Sequence, residues 1–418
     1  MPAFAAKRRG GSDTRRARRP AREPLPPGAW GRLWACTAAA ALLQLDGTLI
    51  TVALPSVAHD LRVSSGATAI VLSAYFLAYA LALLPGGSLV DRYDARRLAL
   101  VGLGVFALGA AVGAVAPSIA VLVASRVVQG VGAGLVSPAA LAGAVSGFPP
   151  ERRGGALGIW GASAGVANLL GPVMGGVLTV VFGWRANWWA LVPLAMLAAV
   201  GIVRLVPSTV HGETTDHPVL NRVVVIASLV AALTFAVMIG SFYLAEQYLQ
   251  RAAGFSALGA SAVLVIVALL VGAAAPVAGR LVDQYGERLP AVAGFLAAAA
   301  GLLVLGIPGV PLHTGVTILP LIPVGLGLGM LFVPTSRAAL NATPLAAHGR
   351  TSALLSVGRL LGAAVGAGLA GVALAGGVTS ATVHTALLIA CGACLFLGVP
   401  AASRLGPGAH RVTLISEG

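Results

Sequence analysis

A seven-residue pattern occurs twice in this chain and indicates that the chain consists of two related halves. Residues 87–93 read GSLVDRY and residues 279–285 read GRLVDQY, so the second copy begins 192 residues after the first. Each copy follows a long apolar run and is followed by arginine. A polar loop that recurs at nearly half the chain length predicts two homologous membrane-embedded halves, each with this loop at the same depth.

The composition places both halves in a membrane. Hydrophobic residues make up 58% of the 418 residues and charged residues only 10%, whereas charged residues are about 25% of an average soluble domain. Most of the surface must therefore contact membrane lipid, which excludes the usual classes of soluble protein.

The formal net charge of +14 does not indicate a nucleic-acid-binding protein. Many of the arginines lie within residues 1–28, a segment that also contains Pro, Gly and Ser, and a charged segment of this composition is expected to be disordered. We therefore interpret residues 1–28 as a disordered basic cytoplasmic tail and expect no nucleic acid among the partners.

The sequence contains twelve apolar runs, each long enough for a transmembrane helix of roughly 20 residues. We therefore predict an all-α membrane protein in which twelve transmembrane helices form two pseudo-symmetric six-helix halves. The runs lie near residues 30–57, 66–90, 98–117, 119–145, 155–181, 187–206, 222–245, 256–282, 289–310, 315–340, 350–376 and 380–402.

The distribution of Lys and Arg predicts the orientation. If both termini are cytoplasmic, only Arg62, Arg185 and Arg251 lie in loops on the outer side, as the positive-inside rule requires. We therefore expect a multi-pass protein of the inner (plasma) membrane with both termini in the cytoplasm. The predicted segments are the tail at 1–28, an N-terminal six-helix half at 29–206, a cytoplasmic linker at 207–221, a C-terminal six-helix half at 222–403 and a cytoplasmic tail at 404–418.

Two ionisable residues deep in predicted spans are the first candidates for function. Asp46 is the only acidic residue deep in any predicted span, and Arg126 lies several residues into the fourth. Ionisable groups are costly to bury in a bilayer and mark functional sites by default. One interpretation is that Asp46 takes up and releases a proton while Arg126 tunes its proton affinity. The other is a structural ion pair between two helices.

The direction of Asp46 is ambiguous. Gln44 and Thr48 share one face of the first span, and Asp46 points to nearly the opposite face at 100° per residue. Asp46 therefore either faces a neighbouring helix such as the fourth, or the first helix is distorted near Gly47.

Polar and aromatic side chains within the spans are candidates for the wall of a substrate cavity. Glu246, near the outer end of the seventh span, is the only reserve carboxylate, and it could equally be solvated. The candidates are Gln44, Thr48, Tyr75, Tyr79, Gln129, Trp160, Asn168 and Glu246.

The fifth span carries small residues at a spacing of three or four, which permits close helix packing. Pro172 within this span lacks an N–H group, so a bend of the helix is expected at that position. This face is either a static packing seam or a seam that slides or bends between the halves. The candidate packing and bending residues are Gly161, Gly165, Gly171, Pro172, Gly175 and Gly176.

The spans contain no constellation typical of an enzyme, such as a serine–histidine pair, a carboxylate pair or a set of metal ligands. His211 and His217 lie in the linker without ligand spacing on a defined element, so we expect a solvated loop and no metal. We expect no cofactor. An intramembrane enzyme remains the competing class of function.

Four passages of the chain have the character of motifs. They are residues 45–55 (LDGTLITVALP) in the first span, 87–97 (GSLVDRYDARR) between spans two and three, 126–134 (RVVQGVGAG) in the fourth span and 165–176 in the fifth. In the same positions they resemble the motifs of the major facilitator superfamily, drug:proton antiporter branch. The passages cover the N-terminal half densely, whereas the C-terminal half is supported mainly by the repeated loop.

The resemblance implies a proton-coupled secondary transporter that exports lipophilic small molecules, such as drugs or antibiotics, by alternating access. Protons and a lipophilic small molecule are then the expected partners. A uniporter or symporter of a metabolite is the alternative within the same superfamily. If Asp46 pairs with Arg126, little buried negative charge is left, so we expect neutral, zwitterionic or weakly charged substrates rather than dications.

The resemblance also implies a cytoplasmic gate built from the repeated loops. A helix N-terminus carries partial positive charge and unpaired N–H groups, which favour a carboxylate. Asp91 is therefore expected to hold the start of span eleven, and Asp283 the start of span five. The expected gate residues are Gly87, Asp91, Arg92, Arg96, Gly279, Asp283 and Arg288.

Overall fold

The computed structural model describes residues 25–208, 220–310, 318–344 and 347–405. Its regular elements within these residues are helices, and they form twelve spans that are long and apolar enough to cross a membrane. Ten of these spans are single helices, and the tenth and twelfth are made of consecutive shorter segments. The predicted fold class and number of spans are thereby confirmed. The expectations for most of the N-terminal tail, the linker and the C-terminal tail lie outside the described residues.

The first half contains six helices, each of which spans the membrane on its own. Short loops connect them, so consecutive helices run in opposite directions. They are α1 (Ala29–Asp60), α2 (Ser65–Arg92), α3 (Ala95–Ala114), α4 (Ile119–Val145), α5 (Pro150–Phe182) and α6 (Arg185–Leu205).

The second half repeats this order, with its fourth and sixth spans divided. The last span includes a five-residue π-helical segment, Cys394–Gly398, between two α-helices. The helices are α7 (Arg222–Arg251), α8 (Ala257–Tyr285), α9 (Arg288–Gly306), α10 (Ile318–Gly329), α11 (Phe332–Asn341), α12 (His348–Ala373), α13 (Ser380–Ala393) and α14 (Val399–Ala402).

The tenth span differs from the single uninterrupted helix that its apolar run suggests. α10 ends at Gly329 and α11 begins at Phe332. Pro334 has no N–H group and therefore cannot donate a helical hydrogen bond to the carbonyl group of Met330. The proline thus accounts for the interruption at this position.

The repeat extends to the residues that cap the helices. Ser64 precedes α2 and its hydroxyl group accepts a hydrogen bond from the N–H of Ala67 at 3.2 Å. Ser256, 192 residues later, precedes α8 and accepts from the N–H of Gly259 at 3.1 Å. Such N-caps satisfy otherwise unpaired backbone donors. The second span of each half therefore begins with a serine N-cap.

We call the side of the bundle where α1 begins the N-terminal face, and the side where α1 ends the distal face. Because the spans alternate in direction, α2 and α8 begin at the distal face and end at the N-terminal face. The repeated segments were expected to be loops, but residues 87–92 and 279–285 are the last helical turns of α2 and α8, and the connecting loops begin only after them.

Glycines allow α5 and α1 to pack closely. A Cβ atom added at Gly171 would lie 1.9 Å from the Oγ1 atom of Thr48, and one at Gly175 would lie 2.5 Å from the carbonyl oxygen of Leu49. No other residue fits at Gly171 without a shift of backbone or side chain. Gly176, on the neighbouring face of α5, contacts Ser261 of α8, so the same helix also joins the two halves.

Candidate functional site

Asp46 and Arg126 form a buried ion pair between α1 and α4. The Nη1 atom of Arg126 donates to both carboxylate oxygens of Asp46 at 2.7 Å. Both side chains are 0% exposed. In such surroundings each charge depends on the other for stabilisation, because water does not reach them.

The structure decides between the two directions considered for Asp46. α1 is one continuous helix from Ala29 to Asp60, and Asp46 faces α4 within it. Gly47 lets α1 approach α2 at this level, since a Cβ atom there would lie 3.1 Å from the ring of Phe76. No distortion of α1 is needed to form the pair.

Two further side chains complete a cluster around Arg126. Its Nη1 atom also donates to the Oε1 atom of Gln129 at 2.9 Å. Its guanidinium carbon lies 4.1 Å from the ring centre of Tyr75, a cation–π geometry. The Tyr75 hydroxyl group in turn donates to the carbonyl oxygen of Leu43 at 2.9 Å. The cluster therefore ties together α1, α2 and α4.

The hydrogen bonding of Arg126 is incomplete. One nitrogen, Nη1, makes all three contacts, whereas Nε and Nη2 are buried without a partner. Unpaired buried donors are costly, so this guanidinium group can gain from another arrangement of its neighbours. The site thus combines a carboxyl group that can bind a proton with a cation that has hydrogen-bonding capacity to spare.

The residues expected in the cavity wall fall into two groups. Gln44, Trp160 and Asn168 are partly exposed. The others are buried, and Thr48 lies in the α1–α5 contact beside Gly171. The buried members are Thr48, Tyr75, Tyr79, Gln129 and Glu246.

Glu246, which the sequence left as either a reserve carboxylate or a solvated one, is buried. Its side chain is 0% exposed. Its Oε2 atom accepts a hydrogen bond from Gln250 at 2.7 Å, and its Oε1 atom has no partner. Gln250 also donates to the carbonyl oxygen of Val52 in the first half at 3.0 Å. Asp46 is therefore not alone as a deeply buried acid, because α7 adds a second one at the contact between the halves.

Hydrogen bonds near the distal face join the two halves. Ser65 donates to the Oε1 atom of Gln247 at 2.9 Å, and the hydroxyl groups of Thr68 and Tyr243 lie 2.8 Å apart. Arg251 also donates to the hydroxyl group of Ser65. These residues were not among the site residues predicted from the sequence. Their signal is the polar run YLAEQY at 243–248 at the end of an otherwise apolar span.

At the N-terminal face, the second copy of the repeated segment makes a contact within its own half. Asp283 pairs with Arg337 of α11, and the same arginine lies 3.7 Å from the Oε1 atom of Glu287. Cβ atoms added at Gly87 and Gly279 would meet nothing within 4 Å.

The remaining expected gate residues lie around these loops. Arg92 and Arg288 are exposed, and Arg96 is partly exposed. The side chain of Asp91 lies outside the described residues. Asp94 has a local role, because its carboxylate accepts a hydrogen bond from the N–H of Arg96 at 2.7 Å and so caps α3.

Comparisons with known proteins agree with this architecture. A bacterial homologue of the human lysosomal transporter Spinster, solved in an inward-facing and occupied conformation, superimposes with a TM-score of 0.73 at 16% identity and covers 92% of this chain and 98% of that one. At this identity the likeness concerns the fold alone.

Curated relatives are transport and resistance proteins. The tetracenomycin C resistance and export protein of Streptomyces glaucescens is 26% identical over 83% of this chain and 76% of its own length. The riboflavin transporter RibZ of Clostridioides difficile is 24% identical over 77% of this chain and 83% of its own length. An uncharacterised transporter of Mycobacterium tuberculosis is 39% identical, but the match spans only 44% of this chain and 31% of that protein.

The model of the Major Facilitator Superfamily matches residues 36–367 and 227–412, which together cover both halves. Twelve candidate spans, a repeated six-helix half and this match identify a multi-pass membrane transporter. The chain belongs to the major facilitator superfamily.

Proposed function

We propose that this protein exports lipophilic small molecules in exchange for protons, by alternating access. The observation that carries the proposal is the fully buried Asp46–Arg126 pair. A carboxyl group buried in a transporter half supports proton coupling, because ionisable groups within a membrane are costly and commonly functional. The resistance and export function named for the S. glaucescens relative supports the choice of cargo.

Asp46 is the proposed proton carrier. When Asp46 binds a proton, its negative charge is lost and its attraction for Arg126 weakens. The guanidinium group is then expected to move toward other hydrogen-bond acceptors, because its Nε and Nη2 atoms have no acceptor in the present arrangement. A proton on Asp46 would thus change how α1 and α4 pack.

Glu246 is a second candidate for coupling, because it lies where the halves meet. Its carboxyl group is buried beside α1 through Gln250 and Val52. If the distal face opens, this group meets water, and water favours its ionised form. Opening and loss of a proton would therefore support each other.

The contacts between the halves suggest which state the structure represents. The hydrogen bonds from Ser65 and Thr68 to α7 close the distal face. The arginine distribution predicts that the N-terminal face is cytoplasmic. Together these favour an inward-facing state, in which substrate enters from the cytoplasm.

The repeated loops are the proposed cytoplasmic gate. In an inward-facing state the gate is broken, in agreement with the contact of Asp283 with Arg337 of its own half. On outward opening, Asp91 would hold the start of α12 and Asp283 the start of α5. Labelling of an engineered thiol in the cytoplasmic cavity tests this idea, because Asp91→Ala and Asp283→Ala should weaken closure of the cytoplasmic side and change the labelling. Equal labelling of wild type and both variants would mean that the loops determine only the topology.

Transport of a metabolite is the second candidate function. The relative named as a riboflavin transporter favours it. A drug exporter would protect cells from its substrates, whereas a metabolite carrier would give no protection against any drug.

A cell assay separates these functions. A host that lacks its own drug pumps would express the protein and be challenged with neutral, anionic, monocationic and dicationic compounds, with dye accumulation measured in parallel. We expect protection against neutral, zwitterionic or weakly charged lipophilic compounds, lost when an uncoupler removes the proton gradient. Protection that persists without the gradient, or none at all, would contradict proton-coupled export.

A further inference from the structure

Arg359 is a second cation within the membrane, and its surroundings differ from those of Arg126. It lies 11 residues after His348, the start of α12, which at 1.5 Å per residue places it about 16 Å from that end of the helix. This depth corresponds to the middle of a hydrocarbon core about 30 Å thick.

The partners of Arg359 are neutral. Its Nη2 atom donates to the Oγ atom of Ser336 at 3.0 Å. Its guanidinium carbon lies 5.9 Å from the ring centre of Phe235 and 5.8 Å from that of Phe332. A small cavity beside the group is lined also by Thr234 and Thr335. α7, α11 and α12 therefore surround this arginine with two rings and three hydroxyl groups.

The two buried acids that the structure describes within the spans are engaged elsewhere. Asp46 pairs with Arg126 in the first half, and Glu246 bonds to Gln250. None of the ion pairs between described residues includes Arg359. Its positive charge is thus uncompensated by the described side chains, although a buried charge is costly without a partner.

The remaining donors of Arg359 reach an accessible surface. The residue is partly exposed, and Nε and Nη1 make no hydrogen bond, yet neither is among the buried unpaired atoms. By contrast, both spare nitrogens of Arg126 are buried. Arg359 therefore keeps open hydrogen-bond donors and a positive charge beside the small cavity lined by Thr234 and Thr335.

We propose that Arg359 is the anion subsite of the transported molecule, and that it binds a carboxylate or a similar acidic group of an amphiphilic substrate. A guanidinium group matches a carboxylate through two parallel hydrogen bonds, and Ser336 holds one of its nitrogens in place. Phe235 and Phe332 offer apolar surface to the rest of the molecule. The inference rests on the proposed export function and predicts that, among its neutral and weakly charged substrates, amphiphiles with one acidic group bind more tightly than their uncharged analogues.

The test compares acids with their methyl esters, which share the same apolar body. The probes are dansylglycine, cholic acid and naphthylacetic acid, each with its methyl ester, and binding to the full chain in nanodiscs of zwitterionic lipid is measured at neutral pH. The variants are Arg359→Gln, Arg359→Lys and Ser336→Ala. Arg222→Gln is the matched control, because Arg222 is an exposed arginine at the start of α7.

We expect wild type to bind at least one acid more tightly than its ester by about tenfold, the usual scale for a charge-assisted hydrogen bond. Arg359→Gln should remove this difference and leave ester binding unchanged, which also shows that the variant is folded. Arg359→Lys should keep part of the preference, Ser336→Ala should reduce it, and Arg222→Gln should keep all of it.

Three results would overturn the subsite: equal loss of acid and ester binding in Arg359→Gln, an unchanged preference in that variant, or no acid preference in wild type. The outcome is independent of the export claim. Binding that depends on Arg359, without proton-driven export in cells, would leave the subsite in place and refute the proposed function.

Discussion

Asp46 and Arg126 are joined by two hydrogen bonds of 2.7 Å, and the described residues of the second half contain no such pair between their first and fourth spans. The positions 192 residues later are Met238 and Ile318, which carry no charge. Conversely, Glu246 and Arg359 of the second half correspond to Leu54 and Ala167 of the first. The two halves share a framework of helices, but each adds different charged groups to it.

Loss of the arginine should destabilise the protein more than loss of the whole pair. In Arg126→Gln the Asp46 carboxylate is left buried without its cation, and removal of one partner of a buried pair costs about 3–5 kcal/mol. The double variant Asp46→Asn/Arg126→Gln removes both charges and should recover most of this stability. Thermal unfolding in detergent, followed by size-exclusion chromatography, would measure the difference. A double variant less stable than Arg126→Gln would contradict the pairing.

Glu246→Gln should make the opening of the distal face independent of pH. The amide can still bond to Gln250 but cannot ionise, so rising pH should no longer favour opening. A cysteine at Ser261, which contacts Gly176 of the other half, would report opening through a membrane-impermeant maleimide, in a chain without its native cysteines.

Several charged or titratable groups lie on the elements near Glu246. Arg251 is directed to Ser65, Tyr243 bonds to Thr68, and His384 bonds to the carbonyl oxygen of Leu305. Labelling of Glu246→Gln should rise with pH only as far as the thiolate fraction of the cysteine rises, and wild type should show a larger increase. Glu287→Gln, which changes a buried acid near the N-terminal face, should behave as wild type. The same pH response in Glu246→Gln and wild type would exclude Glu246 from this role.

Two alanine substitutions in α5 should differ sharply in effect. Gly171→Ala places a Cβ atom 1.9 Å from the Oγ1 atom of Thr48, whereas Gly165→Ala meets nothing within 4 Å. Overpacking costs about 1–3 kcal/mol, so Gly171→Ala should lower the unfolding temperature and Gly165→Ala should leave it nearly unchanged. Thr48→Ala should partly rescue Gly171→Ala. Equal effects of the two glycine variants would mean that α1 and α5 are not packed in this way.

Reporter fusions test the orientation. The concentration of arginine on one side predicts that fusions after Arg62, after His217 and at the C-terminus lie outside, inside and inside. A C-terminal reporter found outside would contradict both the twelve-span topology and the cytoplasmic assignment of the N-terminal face.

The fold could be predicted from the sequence because a transmembrane helix is encoded locally. Runs of about 20 apolar residues define the spans, and the repeat at Asp91 and Asp283 relates the halves. The break in the tenth span near Met330 was not predicted, although Pro334, which causes it, is visible in the sequence. The site was less accessible to prediction, since helical periodicity gives the direction of Asp46 but not which helix lies there. Contacts such as Thr68 with Tyr243 join residues 175 positions apart, and only the packing of the two halves creates them.

The most direct test of the account is dye uptake into inverted membrane vesicles with an acidic interior, where export appears as uptake. The dye would be a neutral lipophilic compound to which the protein confers resistance. Wild type should accumulate it only while the pH gradient is present. Asp60→Asn, which changes a half-exposed acid paired with Arg185, should do the same. Asp46→Asn should insert normally and accumulate none. Full uptake by Asp46→Asn, with an unchanged dependence on the gradient, would remove Asp46 from the mechanism and contradict the central claim.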